Sequence, residues 1–180
     1  MRKLKNIELN RLSVDEYRKT GKFPVIVVLD DVRSMHNVGS IFRTADAFKV
    51  QAVYLCGITG TPPHKEIHKT ALGSELSVEW KHFATVTDAI TELKAEGYTV
   101  AGLEQTEKST FLNEWEIENH PKIALIAGSE VDGISQQAVD LCDVLVEIPQ
   151  FGTKHSLNVS VATAVALWEI VNSQLSTDNG

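Results

Sequence analysis

The run Val25-Ile-Val-Val-Leu29, opened by Pro24, restricts the folds available to this chain more than any other stretch. A strand with one wet face alternates apolar and polar residues, and this one does not alternate. Both of its faces need cover, and a parallel sheet packed between helices supplies it. The theme repeats. Further strands are expected at Ala52–Cys56, around Val78–Trp80, and at Tyr98–Leu103, Lys122–Ala127 and Val144–Ile148. Helices are expected at Val38–Phe48, Glu66–Leu72, Thr87–Glu96, Ser135–Cys142 and Val159–Val171. Strand and helix alternate, so the class is α/β, a mainly parallel sheet covered by helices. Residues 104–120 are the least regular part.

At 180 residues and 43% hydrophobic content the chain suits one domain with a real core. Residues 23–173 form the expected body, preceded by an arm over 1–22 and followed by a flexible tail over 174–180. The arm holds seven basic residues (Arg2, Lys3, Lys5, Arg11, Arg18, Lys19, Lys22) against three acidic ones (Glu8, Asp15, Glu16), a local +4. The whole chain is −7, so the remainder carries −11. The overall acidity argues against nucleic acid as a partner, whereas a basic arm can still meet phosphates. Ser13-Val-Asp-Glu16 reads as a capping box inside that arm. No apolar run is long enough to span a membrane, and Met1-Arg-Lys-Leu-Lys5 lacks the apolar region of a secretory signal. A cytoplasmic protein with Cys56 and Cys142 as reduced thiols is expected.

Ligands of open α/β sheets sit beyond the carboxyl ends of strands, and three polar segments follow strands here. The first is Asn37-Val-Gly-Ser-Ile-Phe-Arg43. Gly39 and Ser40 leave room for another backbone or a ligand, and helical spacing lets Asn37 and Arg43 serve one side. An N-capping Asn followed by a surface Arg describes the same residues. The second is Gly128-Ser-Glu-Val-Asp-Gly133, where Glu130 can accept hydrogen bonds or hold a helix N-terminus. A plain turn with a capping acid fits it as well. The third is Lys154-His-Ser-Leu-Asn158, held against the small apolar helix Val159–Val171, which reads as buried on more than one face. Ser156 and Asn158 are both helix-capping types.

Other chemistries find no pattern. No Gly-x-Gly-x-x-Gly follows a first strand, and no Walker Gly-x-x-x-x-Gly-Lys occurs. Ser156 lies outside a Gly-x-Ser-x-Gly elbow. His64 and His68 share a helical face without a further ligand, so no metal is expected.

Taken in order, three patterns resemble the motifs of the SpoU/TrmH family, within the SPOUT superfamily of RNA methyltransferases. They are Asn37-x-Gly39-x-x-x-Arg43, Gly128-Ser-Glu130-x-x-Gly133 and Ile148-Pro-x-x-Gly152-x-x-x-Ser156-Leu-Asn158-Val-Ser160-x-Ala162. The likeness runs from about Val25 to Val171. It implies a SPOUT-type sheet with a C-terminal trefoil knot, an exception to the rule that chains stay unknotted. It also implies a homodimer that transfers a methyl group from S-adenosyl-L-methionine to a ribose 2′-oxygen of tRNA or rRNA. Backbone at Leu103, Gly128, Ile148 and Leu157 would contact the cofactor. Asn37, Arg43, Glu130, Ser156 and Asn158 match the family's functional polar positions.

In the family the arginine matching Arg43 has been cast as a general base. A guanidinium holds its proton too tightly to act as a base, which favours a different role, gripping the phosphate beside the target ribose and stabilising the developing alkoxide. Gln150 stands where the family often has Met. A body without a separate RNA-binding domain before it is expected, as in the small tRNA-modifying members, and with it tRNA ahead of rRNA. The alternative reading is a non-catalytic RNA-binding or assembly protein on the same fold.

Overall fold

A computed structural model describes residues 1–177 of the chain. A capped helix, α1 (Val14–Lys19), precedes the sheet; the Ser13 hydroxyl and the Glu16 carboxylate close the expected capping box. Then follow β1 (Phe23–Asp30), α2 (Met35–Ala47), β2 (Val50–Cys56), α3 (Lys65–Ala71), α4 (Ser74–Ser77), β3 (Glu79–Phe83) and α5 (Val86–Ala95). The second half holds β4 (Thr99–Leu103), the short β5 (Thr110–Phe111), β6 (Ile123–Ala127), α6 (Gln136–Leu141), β7 (Val144–Glu147) and α7 (Val159–Thr177).

The sheet has seven strands in the order β3-β2-β1-β6-β4-β7-β5. Every pairing in it is parallel. The α/β expectation holds, and the unbroken apolar run of β1 does what it must. Val25, Val27 and Leu29 enter one core with Phe42, Leu167 and Ile170, while Ile26 and Val28 enter the other with Ile90 and Leu93. Alternate residues of one strand thus feed two cores.

Helix α2 starts at Met35 rather than Val38. The Ser34 hydroxyl caps it by accepting from Asn37 N–H at 3.3 Å, so Asn37 sits inside the first turn and is not the cap. Its buried positions Val38, Ile41, Phe42 and Ala45 follow the spacing of one helical face. Gly39 belongs to the same packing. A Cβ there would lie 2.2 Å from Thr70 Oγ1 and 2.3 Å from the Ile67 carbonyl oxygen. The room at Gly39 therefore admits the backbone of α3.

Helix α7 differs from expectation twice. It continues past Val171 to Thr177, so residues 174–177 of the expected tail are helical, and 178–180 lie outside the described residues. It is also buried on one face only. Thr163, Ala166, Leu167 and Ile170 are fully enclosed, whereas Val161, Val165 and Trp168, at the same helical spacing, are exposed. Trp168 is 60% exposed although its ring packs against Phe48, with centroids 6.1 Å apart. The irregular segment 104–120 is a cover for the inner face of α7: Leu112, Trp115 and Ile117 are buried in the same core as Ala166, Leu167 and Ile170.

Candidate functional site

Strands β1, β6, β4 and β7 are neighbours in the sheet, and the segments that leave their carboxyl ends meet on one edge. The segments after β6, β4 and β7 enclose a cleft of about 450 Å³ that is lined by Leu103, Gly128, Ile148 and Leu157. Those four residues come from three strand ends and the segment before α7. The cleft size is that of a small-molecule site. Apolar cover comes also from Val159 and Ala162, and carboxylates from Glu104, Glu130, Asp132 and Glu147.

A polar chain runs along one wall. Asn37 Nδ2 donates to Glu130 Oε1 at 2.7 Å, and Asn158 Nδ2 donates to Asn37 Oδ1 at 3.2 Å. The backbone N–H groups of Arg33 and Ser34 donate to the Glu130 carboxylate, each at 3.1 Å. A carboxylate at the start of α2 also meets the positive end of that helix. Burial pushes the Glu130 carboxyl up, but the hydrogen bonds from Asn37 and from backbone N–H groups outweigh it and hold the group below the ordinary carboxylate range. Glu130 is thus an ionised anchor with its acceptor positions engaged, a poor proton acceptor. Asn158 has a second task. Its Oδ1 accepts from Ser160 N–H at 2.9 Å and Ser160 Oγ at 2.6 Å, which caps α7.

Ser156 lines the cleft and makes no hydrogen bond among the described residues. Asn158 therefore takes the capping role that both residues were candidates for, and Ser156 keeps a free hydroxyl. Lys154 and His155 are exposed in the same loop, and Phe151 is 97% exposed.

Arg43 stands apart. Helical spacing suggested one side for Asn37 and Arg43, but Arg43 lines a separate open groove of about 600 Å³ with Ser40, Thr44, Lys69 and Ala164. The cleft touches α7 at Val159 and Ala162, and the groove touches it at Ala164. Two residues are about 200° around a helix, so α7 stands between Arg43 and the cleft of its own protomer. Arg43 is exposed and has no hydrogen-bond or ion-pair partner among the described residues.

Two residues of the site escaped the sequence reading. Glu104 and Gln105, just past β4, hydrogen-bond to two different loops of the cleft. Their position at a strand's carboxyl end was the available signal.

The profile of the SpoU rRNA methylase family matches residues 24–168, which contain all three loops. The chain belongs to the SpoU rRNA methylase family. It is 29% identical over 157 residues to a Staphylococcus epidermidis protein assigned to the TrmH family of tRNA/rRNA methyltransferases, covering 87% of this chain. It spans only 62% of that relative's length. Among solved structures it resembles the A. aeolicus TrmH/SpoU tRNA modifying enzyme, with TM-score 0.81, 27% identity and coverage of 92% of this chain and 82% of the other. It also resembles an AdoMet-bound rRNA methyltransferase from Sinorhizobium meliloti, with TM-score 0.77, 29% identity and coverage of 90% and 61%. The SpoU/TrmH resemblance drawn from the three motifs therefore holds. Among the described residues no cluster of His, Cys, Asp or Glu could hold a metal, and no helix is long and apolar enough to cross a membrane.

Proposed function

We propose that this SpoU-family chain is a cytoplasmic homodimeric enzyme that methylates the ribose 2′-oxygen of an RNA nucleotide, with S-adenosylmethionine as donor. The observation that carries the reading is the convergence of Leu103, Gly128, Ile148 and Leu157 on one cleft beside the Glu130–Asn37–Asn158 chain. The donor set suits the cofactor. Apolar side chains and strand-end backbone suit a neutral adenine, and the carboxylates of Asp132 and Glu147 suit a ligand carrying sulfonium and ammonium charge. The solved S. meliloti relative is AdoMet-bound. The reading puts tRNA ahead of rRNA, and its support is that the A. aeolicus relative, 82% covered by this chain, is a tRNA modifying enzyme. The strand order supports the knotted C-terminus of the family: β7 lies between β4 and β5, so the β4–β5 connection crosses it.

When bound, S-adenosylmethionine supplies a methyl group already activated on sulfur. The residues would then have to align the ribose hydroxyl oxygen with that carbon and ease the loss of the hydroxyl proton to solvent, the S–CH3 bond breaking to leave neutral S-adenosylhomocysteine. The free Ser156 hydroxyl orients the ribose hydroxyl. Asn158, fixed by Asn37, holds the start of α7 in place. Exposed Phe151, Lys154 and His155 form the RNA-facing tip of the third loop, an aromatic face for a base beside cationic and imidazole groups.

Arg43 supplies positive charge for the adjacent phosphate and the developing alkoxide. It lies across α7 from its own cleft, and the groove it lines adjoins the exposed face of Val161, Val165 and Trp168. A second copy seated on that face covers the apolar stripe and lets Arg43 serve the cleft of the other protomer. The intact polar set disfavours the non-catalytic alternative.

The test is transfer of labelled methyl from S-adenosylmethionine to tRNA and rRNA transcripts, with mass spectrometry of the digested nucleosides. A 2′-O-methylated nucleoside is expected. Label found only on a base, or no transfer to any RNA despite cofactor binding, would refute the reading.

A further inference from the structure

The two residues that follow β4 reach opposite walls of the cleft. Glu104 Oε2 accepts from Ile134 N–H at 2.9 Å, and its Oε1 accepts from Gln105 N–H at 3.0 Å. The next side chain turns to the third loop, where Gln105 Nε2 donates to the His155 carbonyl oxygen at 3.1 Å. Glu104 is itself tied to the sheet, its N–H donating to the Val146 carbonyl at 3.0 Å. One sheet-anchored dipeptide thus holds the loop after β6 and the loop before α7. The second of these carries Ser156 and Leu157, and the first carries Gly128 and Glu130.

We propose that Glu104 and Gln105 are positioning residues that set the width of the cofactor cleft by clamping its two loop walls to the end of β4. The inference rests on the cleft being the S-adenosylmethionine site.

The surroundings fit a clamp. Without these bonds neither loop has a side-chain hydrogen bond to β4 or the two residues after it among the described residues. The partners on both sides are backbone groups, an N–H at one wall and a carbonyl at the other, so the clamp fixes where each chain runs irrespective of the side chains there. Gly133 shows how closely the first wall is drawn in. It has φ +69°, and a Cβ on it would lie 2.1 Å from Glu104 Oε2. Any side chain at 133 would push the carboxylate off Ile134. The bond from a carboxylate to a backbone N–H is charge-assisted and therefore the stronger arm. The bond of Gln105 to His155 is a neutral one on the loop that bears the proposed RNA-facing tip, and loses less on removal.

Calorimetric titration of S-adenosylmethionine into the full chain tests this. Glu104→Ala is expected to raise the Kd about tenfold and Gln105→Ala severalfold, since every tenfold corresponds to about 1.4 kcal/mol. Glu104→Gln, which keeps an oxygen for Ile134, is expected to recover most of the loss. Gly133→Ala attacks the same contact from the other side. It is expected to weaken binding like Glu104→Ala, and to add little to it in the double variant, as residues sharing one contact do.

Thermal melts without ligand keep general unfolding apart from loosening of the cleft. A normal Kd in every variant, or a Kd that changes only in variants already unfolding at the assay temperature, would overturn the clamp. Absence of binding by the unmodified chain would overturn the cleft assignment as well, an outcome distinct from equal binding by all variants.

Discussion

Asn37 and Glu130 are 93 residues apart in sequence and 2.7 Å apart in space. The bond joins the first turn of α2 to the loop after β6, and Asn158 extends it to the start of α7. Asn37 is the middle of the three: it donates to the carboxylate and accepts from the second amide. Neither end reaches the other without it.

The first prediction is therefore coupling. Asn37→Ala and Glu130→Ala are each expected to lower kcat about 100-fold, the scale on which small misplacements of reacting groups act. Asn37→Asp is expected to be as harmful, because a carboxylate in place of the amide faces Glu130. In a double-mutant cycle the pair should be strongly non-additive. Additive losses would mean that the bond carries no organisation of the site.

The second concerns pH. The folded Glu130 carboxyl lies below its ordinary range through burial offset by hydrogen bonds from Asn37 and backbone N–H groups. A depressed carboxyl stabilises the folded arrangement fully above its unfolded pKa, about 4.3, and loses that contribution as pH falls through the lower folded value. S-adenosylmethionine affinity is expected to hold through the ordinary carboxylate range and to drop only below it, and Glu130→Gln should flatten the drop. Carboxyl-resonance NMR of Glu130 with a midpoint at or above the unfolded value would contradict this.

Much of the frame was legible beforehand, for an identifiable reason. A run such as Val25–Leu29 carries its two-sided burial in its composition, and each alternate residue enters the core that the missing alternation demands. The start of α2 was less legible because Ser34 and Asn37 are both capping types, and only the bond between them decides. The site was legible as three motifs but not as a geometry. Spacing along α2 gives the angle between Asn37 and Arg43, yet says nothing about α7 standing between Arg43 and the cleft. Glu104 and Gln105 could be placed at a strand's carboxyl end, but their partners are backbone groups 30 and 50 residues away, and backbone groups leave no residue pattern.

The third prediction addresses the exposed face of α7. Val161, Val165 and Trp168 form an apolar stripe at helical spacing, and a charge within it opposes burial against a second copy. Trp168→Glu is expected to halve the mass measured by light scattering while leaving the circular dichroism spectrum intact. A dimer that survives this change would place the interface elsewhere.

The fourth concerns the tip of the third loop. Phe151 is 97% exposed and packs on nothing that would need it for folding. Phe151→Ala should leave the Kd for S-adenosylmethionine unchanged and raise KM for RNA about tenfold, the scale of one base-stacking contact. Equal loss of cofactor affinity would assign Phe151 to the cleft wall instead.

The last prediction joins Arg43 to the dimer. Arg43→Ala is expected to lower kcat about 100-fold or more, with cofactor affinity retained, because the residue lines the groove and not the cleft. Ser156→Ala is expected to lower kcat from within the cleft. If each Arg43 serves the opposite protomer, a mixed dimer of the two variants has one cleft with both defects and one with neither. Mixing equal amounts of the two impaired proteins under exchange conditions should then bring the rate to about a quarter of the unmodified rate, since half of the randomly paired dimers are mixed and each has one intact site. If Arg43 reached its own cleft around α7, every site in the mixture would lack one group and no activity would return. The mixing experiment therefore decides between the two routes.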